Sequence, residues 1–154
     1  MRYEGRRSVL RMMLVTLGAG AAGLLAPLRA LAAWPKAAFD AKTPKEATDA
    51  LFKGAPMEAS GKVSIVAPDL AENGTIVPIT VVSDLPGIES ITILADGNPR
   101  ALTSTYRLGK RAQTPLSVRV KLAKTQNITA IVQAQGKLYT ATKPITVSVG
   151  GCGG

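Results

Sequence analysis

The segment Leu116-Ser117-Val118-Arg119-Val120-Lys121-Leu122 alternates strictly between apolar and polar side chains. Successive side chains of an extended strand point to opposite faces, so this alternation predicts a strand with one buried and one solvated face. Further short segments on both sides of it also read as strands, at residues 62–67, 75–82, 88–95, 128–134, 138–142 and 145–149. Asn73-Gly74 and the segment Asp96-Gly97-Asn98-Pro99 are the turn signals between them. Short strands and frequent turns indicate an all-β domain.

Six or seven such strands predict an immunoglobulin-like antiparallel β-sandwich at about residues 61–149. The chain has one cysteine, so it cannot form the disulfide of antibody-type domains. Pro78 within a strand predicts an edge position or a bulge. The apolar run around it, residues 76–82, would need cover on both faces, either from ordinary core or from a partner subunit.

One short helix is predicted before the sandwich, within residues 39–52 and most clearly at about 43–53. Thr43 can cap it, Pro44 suits its first position, and Glu46 adds an acid to its first turn. The helix and the sandwich together form the predicted domain at residues 34–149.

The composition excludes several classes of site. The 154 residues indicate one domain, and they include no histidine and a single cysteine. A Ser-His-Asp or Cys-His arrangement and a Cys/His zinc site therefore cannot be built from this chain alone. We predict no metal, no cofactor and no catalytic residue. From residue 33 onward, 14 Lys and Arg stand against nine Asp and Glu, without a basic run, and this is poor support for binding to nucleic acid.

Residues 1–33 have the organisation of a cleaved export signal. A basic region containing Arg6 and Arg7 precedes an apolar stretch, and a small-residue site ends at Ala32 or Ala33. The segment from Gly5 to Arg11 resembles a twin-arginine signal. It predicts export to the periplasm without stable membrane anchoring; an ordinary secretory signal or an uncleaved anchor is the alternative. Twin-arginine export moves folded proteins, which suggests co-export with a partner.

The chain ends in a cysteine flanked by glycines, Gly150-Gly151-Cys152-Gly153-Gly154. Glycine has wide conformational freedom, so we expect a flexible arm at residues 150–154. No cation, histidine or helix start adjoins Cys152 in the sequence, so its thiol is not activated for independent catalysis. Two interpretations remain for this thiol: a mobile handle used by other proteins, or a site for an intermolecular disulfide that links two copies.

The chain resembles the SoxY family, the sulfur-carrier Y subunits of the Sox thiosulfate-oxidation system. Four features carry the resemblance: the glycine-flanked Cys152, the segment Ala67-Pro68-Asp69-Leu70-Ala71-Glu72-Asn73-Gly74 followed by Val77-Pro78, the Asn98-Pro99 turn, and the twin-arginine leader. The resemblance implies an immunoglobulin-like periplasmic carrier, not an enzyme, that holds sulfur covalently on Cys152. It implies a heterodimer with the smaller Z subunit. It also implies a c-type cytochrome, a di-metal sulfate-releasing hydrolase and a sulfane dehydrogenase as partners. An exported binding or scaffold domain, dimerised through Cys152, is the alternative.

Overall fold

The computed structural model describes residues 34–109 and 111–149. Within them, two helices precede nine strands. The helices are α1 (Lys36–Asp40) and α2 (Pro44–Phe52). The strands are β1 (Met57–Ala59), β2 (Val63–Val66), β3 (Leu70–Asn73), β4 (Val77–Ser83), β5 (Ile88–Ala95), β6 (Leu102–Arg107), β7 (Leu116–Val120), β8 (Gln126–Ala134) and β9 (Lys137–Val149).

Helix α2 begins with a capping box. The Thr43 hydroxyl accepts a hydrogen bond from the Glu46 N–H at 3.2 Å, and the Glu46 carboxylate accepts from the Thr43 N–H at 3.4 Å. Pro44 occupies the start of the helix, as predicted. The prediction of one helix from residue 39 was wrong, because the backbone is extended at Ala41 and Thr43. A residue before proline disfavours helical geometry, so the chain forms α1 and α2 separately.

The strands form two sheets. One has the order β1-β9-β8-β5-β6, with β3 also paired to β9, and the other has the order β2-β4-β7. Most neighbouring strands are antiparallel, whereas the short strands β1 and β3 run parallel to β9. Buried apolar residues from both sheets form one cluster, which includes Ile79, Val81, Ile91, Ile93, Ile128 and Val132. The predicted all-β, immunoglobulin-like sandwich is confirmed.

The helices cover the outer face of the larger sheet. A second apolar cluster joins Ala38, Ala41 and Ala47 of the helical segment to Leu94, Leu102, Ile131 and Leu138. Strands β5 and β8 therefore lie between two apolar layers, which explains why six consecutive residues of β5, Ser90 to Ala95, are buried.

The two prolines within strands lie where no neighbouring strand needs their missing N–H. Strand β4 is the central strand of its sheet, but its pairing with β2 ends at Thr80, so Pro78 pairs only with Arg119 of β7. On β9, Pro144 faces Asn127 of β8 and lies between the segments paired with β1 and β3. Because Pro144 interrupts no hydrogen-bonded ladder, the strand continues through it. Residues 138–142 and 145–149, which were predicted as two strands, form the single strand β9.

The apolar run around Pro78 has one buried face. Val77, Ile79 and Val81 are at most 1% exposed, whereas Ile76 is 63% exposed. The core accounts for the first three residues, and Ile76 lies exposed in the bend just before β4. Strand β7 ends at Val120, two residues earlier than predicted, but the alternation of burial continues past its end: Val120 and Leu122 are buried, and Arg119 and Lys121 are exposed.

Candidate functional site

The predicted sulfur-attachment residue lies just beyond the described part of the chain. Cys152 and the glycines Gly150, Gly151, Gly153 and Gly154 are outside the described residues, as are Arg6 and Arg7 of the predicted export signal. Strand β9 ends at Val149, three residues before the cysteine. The structure thus describes the strand that directly precedes the predicted attachment residue in the sequence.

The last four residues of β9 extend past the body of the sheet. Strand β8 pairs with β9 only as far as Gln126 opposite Ile145. On the other edge, β3 pairs in parallel with residues 146–149, with Leu70 opposite Thr146 and Asn73 opposite Val149. These residues are therefore held by a four-residue strand rather than by the main antiparallel ladder.

Gly74 connects the end of β9 to the smaller sheet. This buried residue donates its N–H to the Val149 carbonyl at 2.7 Å, and its own carbonyl accepts from the Leu122 N–H at 2.7 Å. Both backbone groups of Gly74 are thereby satisfied inside the protein. Gly74 thus links Val149 of β9 to Leu122, two residues after the end of β7.

The Asn73-Gly74 turn, predicted from the sequence as a tight turn between strands, joins two strands that lie in different sheets. The Asn73 side chain accepts from the Thr75 N–H at 2.8 Å, which closes a local Asx turn. Strands β3 and β4 do not pair with each other, because β3 belongs with β9 and β4 with β2 and β7. The turn therefore carries the chain from one sheet to the other at the end of β9.

Thr125 contacts β9 on the edge opposite to β3. The Val147 N–H donates to the Thr125 hydroxyl oxygen at 2.9 Å. Successive N–H groups of a strand point to opposite edges, so Val147 faces away from β3 whereas Thr146, which donates to the Asp69 carbonyl at 2.9 Å, faces the β3 side. The Thr125 hydroxyl thus takes the place of a backbone carbonyl of β8, because β8 begins only at Gln126.

The Asp96–Pro99 turn fixes the segment that contains Thr125. The Asn98 amide donates to the Lys121 carbonyl at 2.8 Å and accepts from the Ala123 N–H at 2.9 Å. Gly97 approaches Gln126 so closely that a Cβ at residue 97 would lie 2.9 Å from the Gln126 Cβ. Glycine is therefore required here, and residues 121–126 are held against the turn.

An ion pair joins the residues before β3 to β9. The Lys143 ammonium lies 2.8 Å from the Asp69 carboxylate, and this hydrogen bond holds the pKa of Asp69 below its usual value. A lowered carboxyl pKa means that the pair is intact at neutral pH and is lost only on acidification below the ordinary aspartate range. The Asp69 side chain is 92% exposed, so the pair contributes little to stability.

The comparison with family models identifies the chain. A model described as "Sulfur oxidation protein SoxY" matches residues 48–152, which is more than half of the sequence. The chain belongs to the SoxY family. The matched residues run from α2 through all nine strands and end at Cys152.

Solved structures agree with this assignment to the SoxY family. The sulfur carrier protein SoxY from Chlorobium limicola f thiosulfatophilum is 35% identical, with a TM-score of 0.62 over 68% of this chain and 96% of that one. A superoxide reductase (neelaredoxin) from Ignicoccus hospitalis is similar at 19% identity and a TM-score of 0.51, over 70% of this chain and 94% of that one. The second likeness concerns the fold alone. No curated protein sequence matches the chain.

Residues 34–109 and 111–149 contain no group of three or more His, Cys, Asp or Glu that could hold a metal ion. No helix among them is long and apolar enough to cross a membrane.

The site also includes residues that sequence reasoning did not interpret. The segment from Ala67 to Gly74 and the Asn98-Pro99 turn support the SoxY resemblance, but the sequence indicates no chemistry for them. In the structure both segments hold the end of β9, directly through Gly74 and indirectly through Thr125. Asparagine and glycine predicted the turns, but nothing local in the sequence predicted what the turns contact.

Proposed function

We propose that this protein is a periplasmic carrier that holds thiosulfate-derived sulfur on Cys152 and presents it to partner enzymes. The observation that carries the proposal is the extent of the family match, which ends at Cys152, the single thiol of the chain. The C. limicola relative, 35% identical, is itself described as a sulfur carrier protein.

The proposed chemistry begins with an oxidative coupling. The Cys152 thiol and thiosulfate form a sulfur–sulfur bond, one proton is released, and two electrons pass to a c-type cytochrome partner. Water then cleaves the terminal sulfur–sulfur bond, which releases sulfate and two protons and leaves a persulfide on the cysteine. A cargo held through sulfur–sulfur bonds is covalently bound yet remains exchangeable.

The chemistry is assigned to the partners because the sequence around Cys152 supplies no group that would activate its thiol. The sequence has no histidine, and Cys152 has no cation among its four nearest neighbours. An unperturbed thiol is only a few per cent thiolate near neutral pH. We therefore propose a non-catalytic subunit whose thiol is activated within the active sites of a cytochrome, a di-metal hydrolase and a sulfane dehydrogenase.

The flanking glycines suit such an arm. They carry no side chain, so a backbone of Gly150, Gly151, Gly153 and Gly154 can enter a channel that would exclude larger residues. Three residues beyond Val149 give the thiol a reach of about 10 Å. The small Z subunit is the proposed stable partner, and residues 1–33 are the proposed export signal that takes the pair to the periplasm by the twin-arginine route.

Mass spectrometry of the C-terminal peptide tests the proposal. The mature protein with its Z partner is incubated with thiosulfate and the oxidised cytochrome partner. We expect a thiosulfate adduct on Cys152, followed by a persulfide when the hydrolase is added. Unmodified thiol together with a disulfide-linked homodimer would instead support the exported scaffold domain.

Gly151→Val tests whether the arm must be slim. We expect the reaction of Cys152 with a small maleimide to be unchanged, whereas turnover with the partner enzymes falls about tenfold, because each 1.36 kcal/mol of steric cost is tenfold in rate. The matched control is Gly61→Val. Gly61 lies on an exposed loop, and a Cβ there meets nothing within 4 Å. Full turnover in Gly151→Val would contradict a narrow channel.

A further inference from the structure

Asn73 and Gly74 form a chemically labile pair. An asparagine side chain can condense with the backbone nitrogen of the next residue to a succinimide, and a following glycine hinders this attack least because it has no side chain. The chain has three asparagines, Asn73, Asn98 and Asn127. The proline after Asn98 has no N–H, and the isoleucine after Asn127 is branched and bulky. Asn73 is therefore the asparagine that reacts fastest in the unfolded chain.

The folded structure engages both reacting groups of this pair. Asn73 is exposed, but its side-chain oxygen accepts from the Thr75 N–H at 2.8 Å. Gly74 is buried, and its N–H donates to the Val149 carbonyl at 2.7 Å. Attack on Asn73 needs the Gly74 nitrogen without its proton and turned toward the side chain. The bond to Val149 must therefore open first.

The bond between Gly74 and Val149 continues the parallel pairing of β3 with β9. Asn73 lies opposite Val149, and the Thr146 N–H donates to the Asp69 carbonyl at 2.9 Å where the same pairing begins. Strand β3 has four residues, and three of their side chains are exposed. A strand with so little buried surface opens locally at a lower free energy than the core strands. The Gly74 N–H is thus released whenever β3 separates from β9.

We propose that Asn73 is a site of spontaneous deamidation whose rate is set by the opening of β3 from β9. Hydroxide removes the proton of the Gly74 nitrogen, which attacks the side-chain carbonyl carbon of Asn73. A carbon–nitrogen bond forms and ammonia leaves. Water then opens the succinimide to aspartate or isoaspartate. No redox partner is needed, and the inference does not rest on the proposed sulfur chemistry.

Isoaspartate at residue 73 would keep β3 open. In isoaspartate the chain runs through the side-chain carbon, so one extra backbone atom separates residue 73 from residue 74. The register that places residue 73 opposite Val149 and the bond from Gly74 to the Val149 carbonyl then no longer fit together. Amide exchange at Thr146 should accordingly be faster in the modified protein than in the unmodified one.

Asp96 and Gly97 provide an internal reference for this reaction. An aspartate before glycine forms the same succinimide by loss of water. The Gly97 N–H donates to the Gln126 side-chain oxygen at 2.7 Å, and the Asp96 carboxylate accepts from the Asn127 N–H at 2.9 Å. Neither bond involves a residue of β3 or β9. Opening of β3 should therefore leave isomerisation at Asp96 unchanged.

Peptide mass spectrometry of the purified full-length protein at mildly alkaline pH follows isoaspartate at residues 73 and 96. We expect residue 73 to react at least about tenfold more slowly in the folded protein than in guanidinium chloride. Exchange of the Gly74 amide should be slowed by a similar factor, because both reactions need the same free nitrogen. Equal rates at residue 73 in the folded and unfolded protein would overturn the proposal.

Thr146→Pro opens β3, and Thr146→Val is its matched control. Proline removes the N–H that donates to Asp69, whereas valine keeps it. We expect deamidation at residue 73 to be about tenfold faster in the proline variant than in the valine variant, with equal isomerisation at Asp96. Equal rates at residue 73 in the two variants would contradict control by β3. Equal acceleration at residues 73 and 96 would also contradict it, because the opening would then be general.

Ala71→Gly replaces this comparison if Thr146→Pro does not fold, as judged by circular dichroism. Ala71 is the buried residue of β3, and glycine both removes its side chain and weakens a strand. Deamidation at residue 73 should become about two- to fivefold faster than in the unmodified protein, again without a change at Asp96. An unchanged rate at residue 73 in this variant would overturn the proposal.

Discussion

Cys152→Ser is expected to abolish sulfur loading and to lower thiosulfate oxidation in a reconstituted system by more than about 100-fold. A serine hydroxyl cannot form the sulfur–sulfur bond on which the proposed chemistry depends. Residue 152 follows the last strand, so the melting temperature should be unchanged. The measurements are turnover with the partner enzymes, the mass of the C-terminal peptide and thermal unfolding.

A relocated thiol serves as the control for Cys152→Ser. Adding Ser148→Cys to that variant restores one exposed thiol, but on the end of β9 that pairs with β3 rather than on residue 152. We expect this thiol to react with small reagents and not to restore turnover, because it cannot reach into a partner. Turnover near that of the unmodified protein in either variant would contradict the assignment of Cys152 as the attachment residue.

The sequence predicted those strands and helices whose signals lie within a few consecutive residues. The alternation from Leu116 to Leu122 predicts a strand because burial on one face imposes a period of two. Thr43, Pro44 and Glu46 predict the start of a helix because all three act within its first turn. The assignment of Cys152 as the candidate site stays a prediction from the sequence, since this residue lies outside the described part of the chain.

Contacts between distant segments could not be predicted in this way. Strands β1 and β3 have three and four residues, too few to show a period, and they exist because each pairs with part of β9. Strand β6 was missed because its sequence, LTSTYR, is mostly polar, and only its pairing with β5 makes it a strand. The role of Gly74 depends on Val149, which is 75 positions further along the chain.

Ile79→Ala is expected to destabilise the isolated domain by about 2–5 kcal/mol. Ile79 is fully buried on β4, within the cluster between the two sheets, so truncation leaves a cavity in the core. The same change at Ile76, three residues earlier, should cost less than about 0.5 kcal/mol, because that side chain is 63% exposed. Urea unfolding of the two variants measures both values.

This pair of substitutions also tests the alternative interpretation of the apolar run at residues 76–82. In the isolated chain, equal losses at Ile76 and Ile79 would contradict the assignment of their faces. With the Z subunit bound, stability that depends on Ile76 would mean that the partner covers the exposed bend just before β4. If Ile76→Ala stays neutral in the complex as well, the run is explained by Val77, Ile79 and Val81 alone, since these residues already fill the core.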